Sequence, residues 1–323
     1  MNKEEFEAST RRVSLPGSGL AQFMQMRGRR VNEACGVLWH SVERGLFVSL
    51  PHQLRFDPDP HDLRRFLWSG AVTGVRYPSL ISNGLECGLY QYTSKQYGIP
   101  QLHRNFRAKV RKGLDDCQVV RLDESDLLKQ GLELNLHTMK RQDRWDPEFG
   151  AERSWKRLVT AIRHCPAIAA YGALVDGHLA AYAITCREDG WLHILHRMSR
   201  DEDLEHCPNH VLDFTITSEI AQDPKLKAVS MGYASLVAGT DGLHEYKLRL
   251  GYTFSPHHSV VRLHPAIAAI LTSAPAKSVL AAMRSHDPRN QQLQKVGAVI
   301  HAAELASEPV AHHEPDHDRA VSA

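Results

Sequence analysis

The clearest patterning in the chain lies between Ala167 and Val261, where the spacing of apolar residues switches period several times. AIAAYGALV and HLAAYAITC are apolar runs of strand length joined by Asp176-Gly177, a pair suited to a tight two-residue turn, so they predict a β-hairpin. WLHILHRM, from Trp191, adds a third strand after Glu188-Asp189-Gly190. Pro208 then opens a helix through Ala221, with Leu212, Ile216 and Ile220 stacked at helical spacing. Lys227 to Pro256 continues as strand, loop, short helix and strand. Ala228, Val229, Met231 and Tyr233 supply the β run, and Ser235, Gly239 and Gly242 break it. Leu243, Tyr246 and Leu250 set a helical spacing that Gly251 ends, with Glu245, Lys247 and Arg249 as its polar positions.

Upstream signals are weaker. VLWH and GLFVSL read as strands around a turn, and Asp59 caps a helix opening on Pro60. Val72–Val75 and Glu86–Tyr92 are candidate strands. A helix carrying Arg104, Arg107, Lys109, Arg111 and Lys112 is expected to end on Gly113. Strand Gln118–Leu122 follows, then a long helix from Glu124 to about Gln142 with Leu128, Leu132, Leu136 and Met139 as its stripe, and another over Glu152–His164. After His264 two helices are expected, Pro265 to about Ser285 and Gln291 to about Ala306. The reading divides the chain into a loose leader (1–28), a small α/β unit (29–99), a larger unit (100–262), C-terminal helices (263–306) and a disordered tail (307–323). Its fold class is α/β with a mixed central sheet flanked by helices.

Composition narrows the function classes. The 323 residues carry a formal charge of +2 with 42% hydrophobic and 24% charged residues, a balance typical of a globular chain and too even to argue for nucleic acid by itself. Six cysteines show no CxxC pair, so free thiols are expected and no metal site. MNKEEFEASTRRVSLPGSG lacks a signal-type apolar core, which with reduced cysteines leads us to expect a cytoplasmic protein. His193 and His196, three apart on a predicted strand, should point to opposite faces and not share a metal. Tail residues His312, His313 and His317 are expected to lie in disordered chain.

Several residues have chemistry worth tracking. Arg104, Arg107 and Arg111 share a helix face and offer forked donors for phosphate. His210 falls in the first turn of its helix, where the dipole favours the neutral base, and Asn209 beside it can cap or bind substrate. Tyr233 and Ser235 share a face at a strand end, where they could contact a substrate.

Three segments in order, the basic helix Arg104–Lys112, Cys207-Pro208-Asn209-His210-Val211-Leu212, and Gly242-Leu243-His244-Glu245-Tyr246-Lys247-Leu248-Arg249-Leu250-Gly251-Tyr252, resemble the GNAT acyltransferases, specifically the Fem-like branch that pairs two such units. The match spans roughly residues 100 to 262. The resemblance implies direct transfer of an acyl or aminoacyl group to an amine or hydroxyl, with no covalent enzyme intermediate, from acyl-CoA or aminoacyl-tRNA. The acceptor would be a small molecule, a cell-envelope precursor, a polysaccharide amino sugar or a protein N-terminus. It assigns Lys247 to oxyanion or phosphate stabilisation, Tyr246 to proton donation and Glu245 to base catalysis. The loop His196–Cys207 departs from the glycine-rich phosphate loop of many GNAT enzymes: it has no glycine, and Asp201, Glu202, Asp203 and Glu205 would repel coenzyme A. That departure favours tRNA as donor. It also sustains a second reading, a binding or assembly protein that keeps the fold without the chemistry.

Overall fold

The structure, a computed structural model, describes residues 15–43, 45–235, 241–287 and 290–308. Among the described residues, eleven strands make one mixed sheet in the order β1-β2-β3-β4-β11-β5-β10-β9-β8-β7-β6. They are β1 (Val31–Ala34), β2 (Val37–Glu43), β3 (Leu46–Leu50), β4 (Gly74–Ser79), β5 (Leu85–Tyr92), β6 (Gln118–Leu122), β7 (Ile168–Val175), β8 (His178–Glu188), β9 (Trp191–Ser199), β10 (Ala228–Tyr233) and β11 (Thr253–Leu263). The mixed α/β sheet expected from sequence is present, and its two halves repeat one plan. In each, three antiparallel strands (β1–β3, β7–β9) lead through a helix to a fourth strand parallel to the third, β4 beside β3 and β10 beside β9. The halves then exchange their last strands. β5 of the first lies against β10, and β11 of the second lies against β4.

Local chemistry explains most element ends. Asp176 and Gly177 both take positive φ, 48° and 82°, giving the twisted turn that joins β7 to β8. Asp59 accepts from the His61 and Asp62 amides and so starts α2 (Pro60–Leu67). Along β8, Tyr182 and Ile184 point into the core layer beneath α1 (Ser18–Met26) and α6 (Glu152–His164). Ala181 and Ala183 point to the opposite layer, beneath α3 (Arg104–Asp116) and α7 (Pro208–Gln222).

Four expectations need correction. The loose leader ends before Ser18, because Leu20 and Phe23 of α1 are fully buried against the second half; residues 1–14 lie outside those described. Gly113 does not stop α3, which runs to Asp116. A Cβ there would sit 2.8 Å from Val211 Cβ and 3.0 Å from the Cys207 carbonyl, so this glycine serves the close crossing of α3 on α7. The long helix α4 begins at Glu124 and ends at Arg141, but Leu127–Gly131 form a wider turn. That turn shifts the register, so Leu127, Leu134, Asn135, Thr138 and Met139 are buried while Leu128 and Leu136 are exposed. The helix expected over Pro265–Ser285 is two, α9 (Pro265–Leu271) and α10 (Ala274–His286), divided where the Ser273 side chain caps the second. The remaining helices are α5 (Pro147–Gly150), α8 (Asp241–Arg249) and α11 (Gln291–Ser307). Among the described residues no single helix is long and apolar enough to cross a membrane. The tail histidines lie outside the described residues, and so does Gly239.

A candidate acyl-transfer cleft

β9 and β10 pair only over Trp191–His193 with Ala228–Ser230. Beyond that, β9 carries an extra residue. Thr185 faces Ile194 and Ile184 faces His196, leaving Leu195 as a bulge that bends the strand away. The parted strands, the first turn of α7, α8 and the end of α4 enclose a cleft of about 400 Å³. Its lining includes Arg141 and Arg144 of the α4 end, Arg197 and Ser199 of β9, Met231 of β10, Asn209 of α7, and Leu243, Tyr246 and Lys247 of α8.

The bulge also corrects the histidine geometry. Because His193 pairs with Cys186 and His196 with Ile184, both lie on one side of the sheet, each close enough to His52 to feel its charge. Burial holds both near pH 3, so they are neutral. Among the described residues the group near enough to share a cation is Asp59, His61 and Asp62, which is exposed, with the Asp59 carboxylate engaged in capping α2.

Lys247 is the unusual residue of the wall. Lys247 stands two residues from both Glu245 and Arg249, so it cannot share the helix face on which those two, four apart, meet. Glu245 and Arg249 pair with each other in solvent at 3.1 Å, while Lys247 turns inward and keeps 4% exposure. Its Nζ lies 4.1 Å over the Tyr90 ring and donates to the Tyr233 carbonyl at 3.5 Å. Burial first, and the nearby Arg197 guanidinium second, pull its pKa from 10.5 to about 7. Lys247 therefore changes charge near neutral pH.

Beside it is a network that the sequence reading did not find. Asp213 of α7 has no solvent exposure and pairs with the Arg197 guanidinium. Tyr246 Oη donates to Asp213 Oδ2 at 2.7 Å, and the Arg197 guanidinium lies 5.3 Å over the Tyr246 ring. Burial raises the Asp213 pKa against the pull of Arg197, and burial and Asp213 hold Tyr246 well above a phenol's usual range. Tyr246 is thus a fixed neutral donor. One signal could have revealed the network: Asp213 is a charged residue inside the apolar run Val211–Ile220 of a buried helix, where a carboxylate needs a partner.

The other candidates divide. Asn209 Nδ2 donates to Ser199 Oγ at 3.0 Å on the cleft wall. His210 stacks behind the cleft on Phe106 and Tyr246, and burial lowers its pKa to about 4, so it is neutral. Tyr233 presents its carbonyl to Lys247, but its ring faces the first half, donating to the His52 carbonyl at 2.6 Å. Ser235 is exposed at the end of that segment. Arg107 is spent on the Leu102 and Pro100 carbonyls, at 3.1 and 2.9 Å, and Arg104 and Arg111 are exposed away from the cleft lining. The cations that act on the start of α7 are Lys109 and Lys112, whose charge reaches Cys207. The acidic loop is less repulsive than its sequence suggests. Asp201 pairs with Arg141, and Asp203 lies 3.6 Å from Arg200 and 3.0 Å from His178, while Glu202 and Glu205 point to solvent.

No protein-family model matches the sequence, and no curated protein matches it. Among solved structures, the chain superposes on FemX with a TM-score of 0.55 at 12% identity, over 79% of this chain and 93% of FemX. It superposes on the C-terminal domain (DUF2156) of a protein described as a lysylphosphatidylglycerol synthetase from Agrobacterium fabrum at 0.52 and 13%, over 88% and 97%. L-PGS from Bacillus licheniformis gives 0.51 at 10%, over 79% and 90%. At these identities the likeness is one of fold, and it agrees with the Fem-like, paired-unit GNAT architecture that the three sequence segments resemble.

Proposed function

We propose that the protein transfers an acyl or aminoacyl group from a carrier ester or thioester to an amine or hydroxyl in the cleft between β9 and β10. The observation that carries this reading is Lys247, a lysine buried in the cleft wall and poised near pH 7 beside the Arg197–Asp213–Tyr246 network. In its neutral form Lys247 takes the proton from the acceptor nitrogen or oxygen as that atom attacks the donor carbonyl. The resulting ammonium then faces the oxyanion of the tetrahedral intermediate, where its charge acts strongly because Lys247 is itself buried. Collapse breaks the carbonyl–oxygen or carbonyl–sulfur bond, and Lys247 returns the proton to the leaving group. No bond to the protein forms.

The other residues support that step. Tyr246, kept neutral, and Arg197, fixed by Asp213, set the wall opposite the reacting carbon without gaining or losing protons. Arg144 adds positive charge to the cleft lining beside the Arg141–Asp201 pair, which suits the phosphates of either coenzyme A or tRNA. Because Asp201 and Asp203 are paired, the acidic loop counts less against coenzyme A, with Glu202 and Glu205 as its solvent-facing charges. The names of the similar structures include an aminoacylated phospholipid, which supports a hydroxyl or amine acceptor at a lipid or envelope precursor. The test is incubation of the purified protein with labelled acyl-CoA or charged tRNA and a panel of amine and hydroxyl acceptors. Label passing to an acceptor with either donor supports the reading; donors that bind but are never turned over favour the binding-protein alternative.

A further inference from the structure

The first half has parting strands of its own. β3 and β4 pair over Leu46–Val48 with Gly74–Arg76 and then separate, as β9 and β10 do after His193 and Ser230. The narrow recess between them is lined by Arg76 and Pro78 of β4 and by His257 and Ser259 of β11, and Tyr233 enters it from the end of β10. Arg76 Nε donates to Ser259 Oγ at 2.7 Å, and its guanidinium lies 5.8 Å over the Tyr233 ring. Arg55, from the loop after β3, donates to the His52 carbonyl at 3.1 Å. Both guanidinium groups are half-buried, and both lie close enough to act on the Tyr233 hydroxyl and the His257 ring. Among the described residues no carboxylate pairs with either. Burial lowers the Arg55 pKa, opposed only by Tyr233 and Cys87. Asp57 of the same loop is engaged by the Ser79 and Ser82 hydroxyls, and Ser79 is on the face of β4 opposite Arg76. Glu86 of β5 is exposed, on the face opposite Cys87. Two guanidinium groups drawn partly out of water without a counter-charge invite an anion.

Polar rings continue from the recess to the transfer cleft. His257, Tyr233, His52 and His193 follow one another at centroid spacings of 5.2, 5.5 and 6.0 Å. His193 is 2% exposed, yet neither of its ring nitrogens has a hydrogen-bond partner, and neither has His257 Nδ1. A buried imidazole with both nitrogens idle is costly unless something bound there uses them. His193 stands at the last pair of β9 with β10, where the cleft opens, and the Tyr233 carbonyl accepts from Lys247 Nζ. Burial keeps His52 and His193 neutral, near pH 4 and pH 3, so each can accept an N–H or O–H. We propose that this seam holds the acceptor by an oxyanion: its carboxylate or phosphate sits between Arg55 and Arg76, and its amine or hydroxyl arm passes His52 and His193 to reach Lys247. The acceptor role rests on the transfer reading above; the anion site does not.

The test titrates the full chain with inorganic phosphate or acetate, replacing chloride at constant ionic strength, and reads Tm. At roughly ten times its Kd the fitting anion should raise Tm by about 2 °C, and the anion with the larger shift names the group. Arg55→Gln and Arg76→Gln should each lose the shift. Tm in chloride reports whether each variant folds, and Arg55→Gln, which gives up one bond to a loop carbonyl, suffices if Arg76→Gln does not. No shift with either anion overturns the anion site, as does a shift that the arginine variants keep. A shift that only Arg144→Gln removes also overturns it, by placing the anion in the transfer cleft. Transfer assays test the acceptor role separately. An acceptor amine bearing the preferred anionic group should show a KM at least about tenfold below that of its amide or dephosphorylated analogue, and the folded arginine variant should erase the difference. Equal KM values in the wild type overturn the acceptor role. A retained Tm shift without any transfer overturns the reaction, and the acceptor role with it, and leaves the anion site standing.

Discussion

Replacing Lys247 by methionine should make the protein more stable at neutral pH while removing the transfer activity proposed for it. The pKa displacement from 10.5 to about 7, at 1.36 kcal/mol per unit, puts the cost of burying the ammonium at roughly 4 to 5 kcal/mol. Methionine fills a similar volume without that cost, but it forfeits the contact with the Tyr90 face, about 2 kcal/mol for a desolvated pair. The expected net gain is about 2 to 3 kcal/mol, a rise of several degrees in Tm. The sign follows from proton linkage. Lys247 binds its proton less tightly in the folded state, so below about pH 7 both states are protonated and the whole burial cost is present. Between about pH 7 and 10.5 only the unfolded state holds the proton, and wild-type stability climbs until the cost is gone. The advantage of Lys247→Met should therefore be largest at and below pH 7 and shrink towards pH 10. Denaturant titrations of both proteins at pH 6.5, 8 and 9.5 (roughly evenly spaced across that window) measure it. A variant that is less stable at pH 6.5, or an advantage that does not change with pH, would refute the assignment of Lys247 as a buried, half-titrated lysine.

Two further substitutions test the surroundings of the cleft. Gly113→Ala should cost about 1–3 kcal/mol in chemical denaturation, because the added methyl meets Val211 at 2.8 Å and α3 must move off α7; an unchanged midpoint would mean the crossing is loose. Arg107→Ala should lower stability by about 1–2 kcal/mol by freeing the Leu102 and Pro100 carbonyls, whereas Arg104→Ala and Arg111→Ala should leave Tm in place. Equal effects from all three arginines would show that the helix face acts as a unit.

Much of the fold is written in local patterns. The hairpin at Asp176-Gly177, the strand Gln118–Leu122 and the helix Glu152–His164 each follow from a turn pair or a periodic stripe that needs no distant partner. The exchange of β5 and β11 is invisible to such reasoning, because pairing between strands about 160 residues apart is decided by the whole sheet. Polar leader residues around Pro16 and Gly17 hide a helix whose Leu20 and Phe23 find their core only in the second half. In the site, Lys247, Tyr246 and Asn209 were legible through the segments they occupy. Arg197 and Asp213 were not. They are charged residues in largely buried elements, and only the tertiary structure shows that each answers the other.

The central claim, acyl transfer driven by Lys247, is tested most directly by the pH dependence of transfer under kcat/KM conditions. The rate should rise about tenfold per pH unit below pH 7, as the Lys247 ammonium loses its proton, and level off above it. Lys247→Met should lose that limb along with most of the activity, at least about a hundredfold at pH 8, with its fold intact. A wild-type rate that is flat through pH 7, or a Lys247→Met protein that keeps both the rate and the limb, would contradict the account.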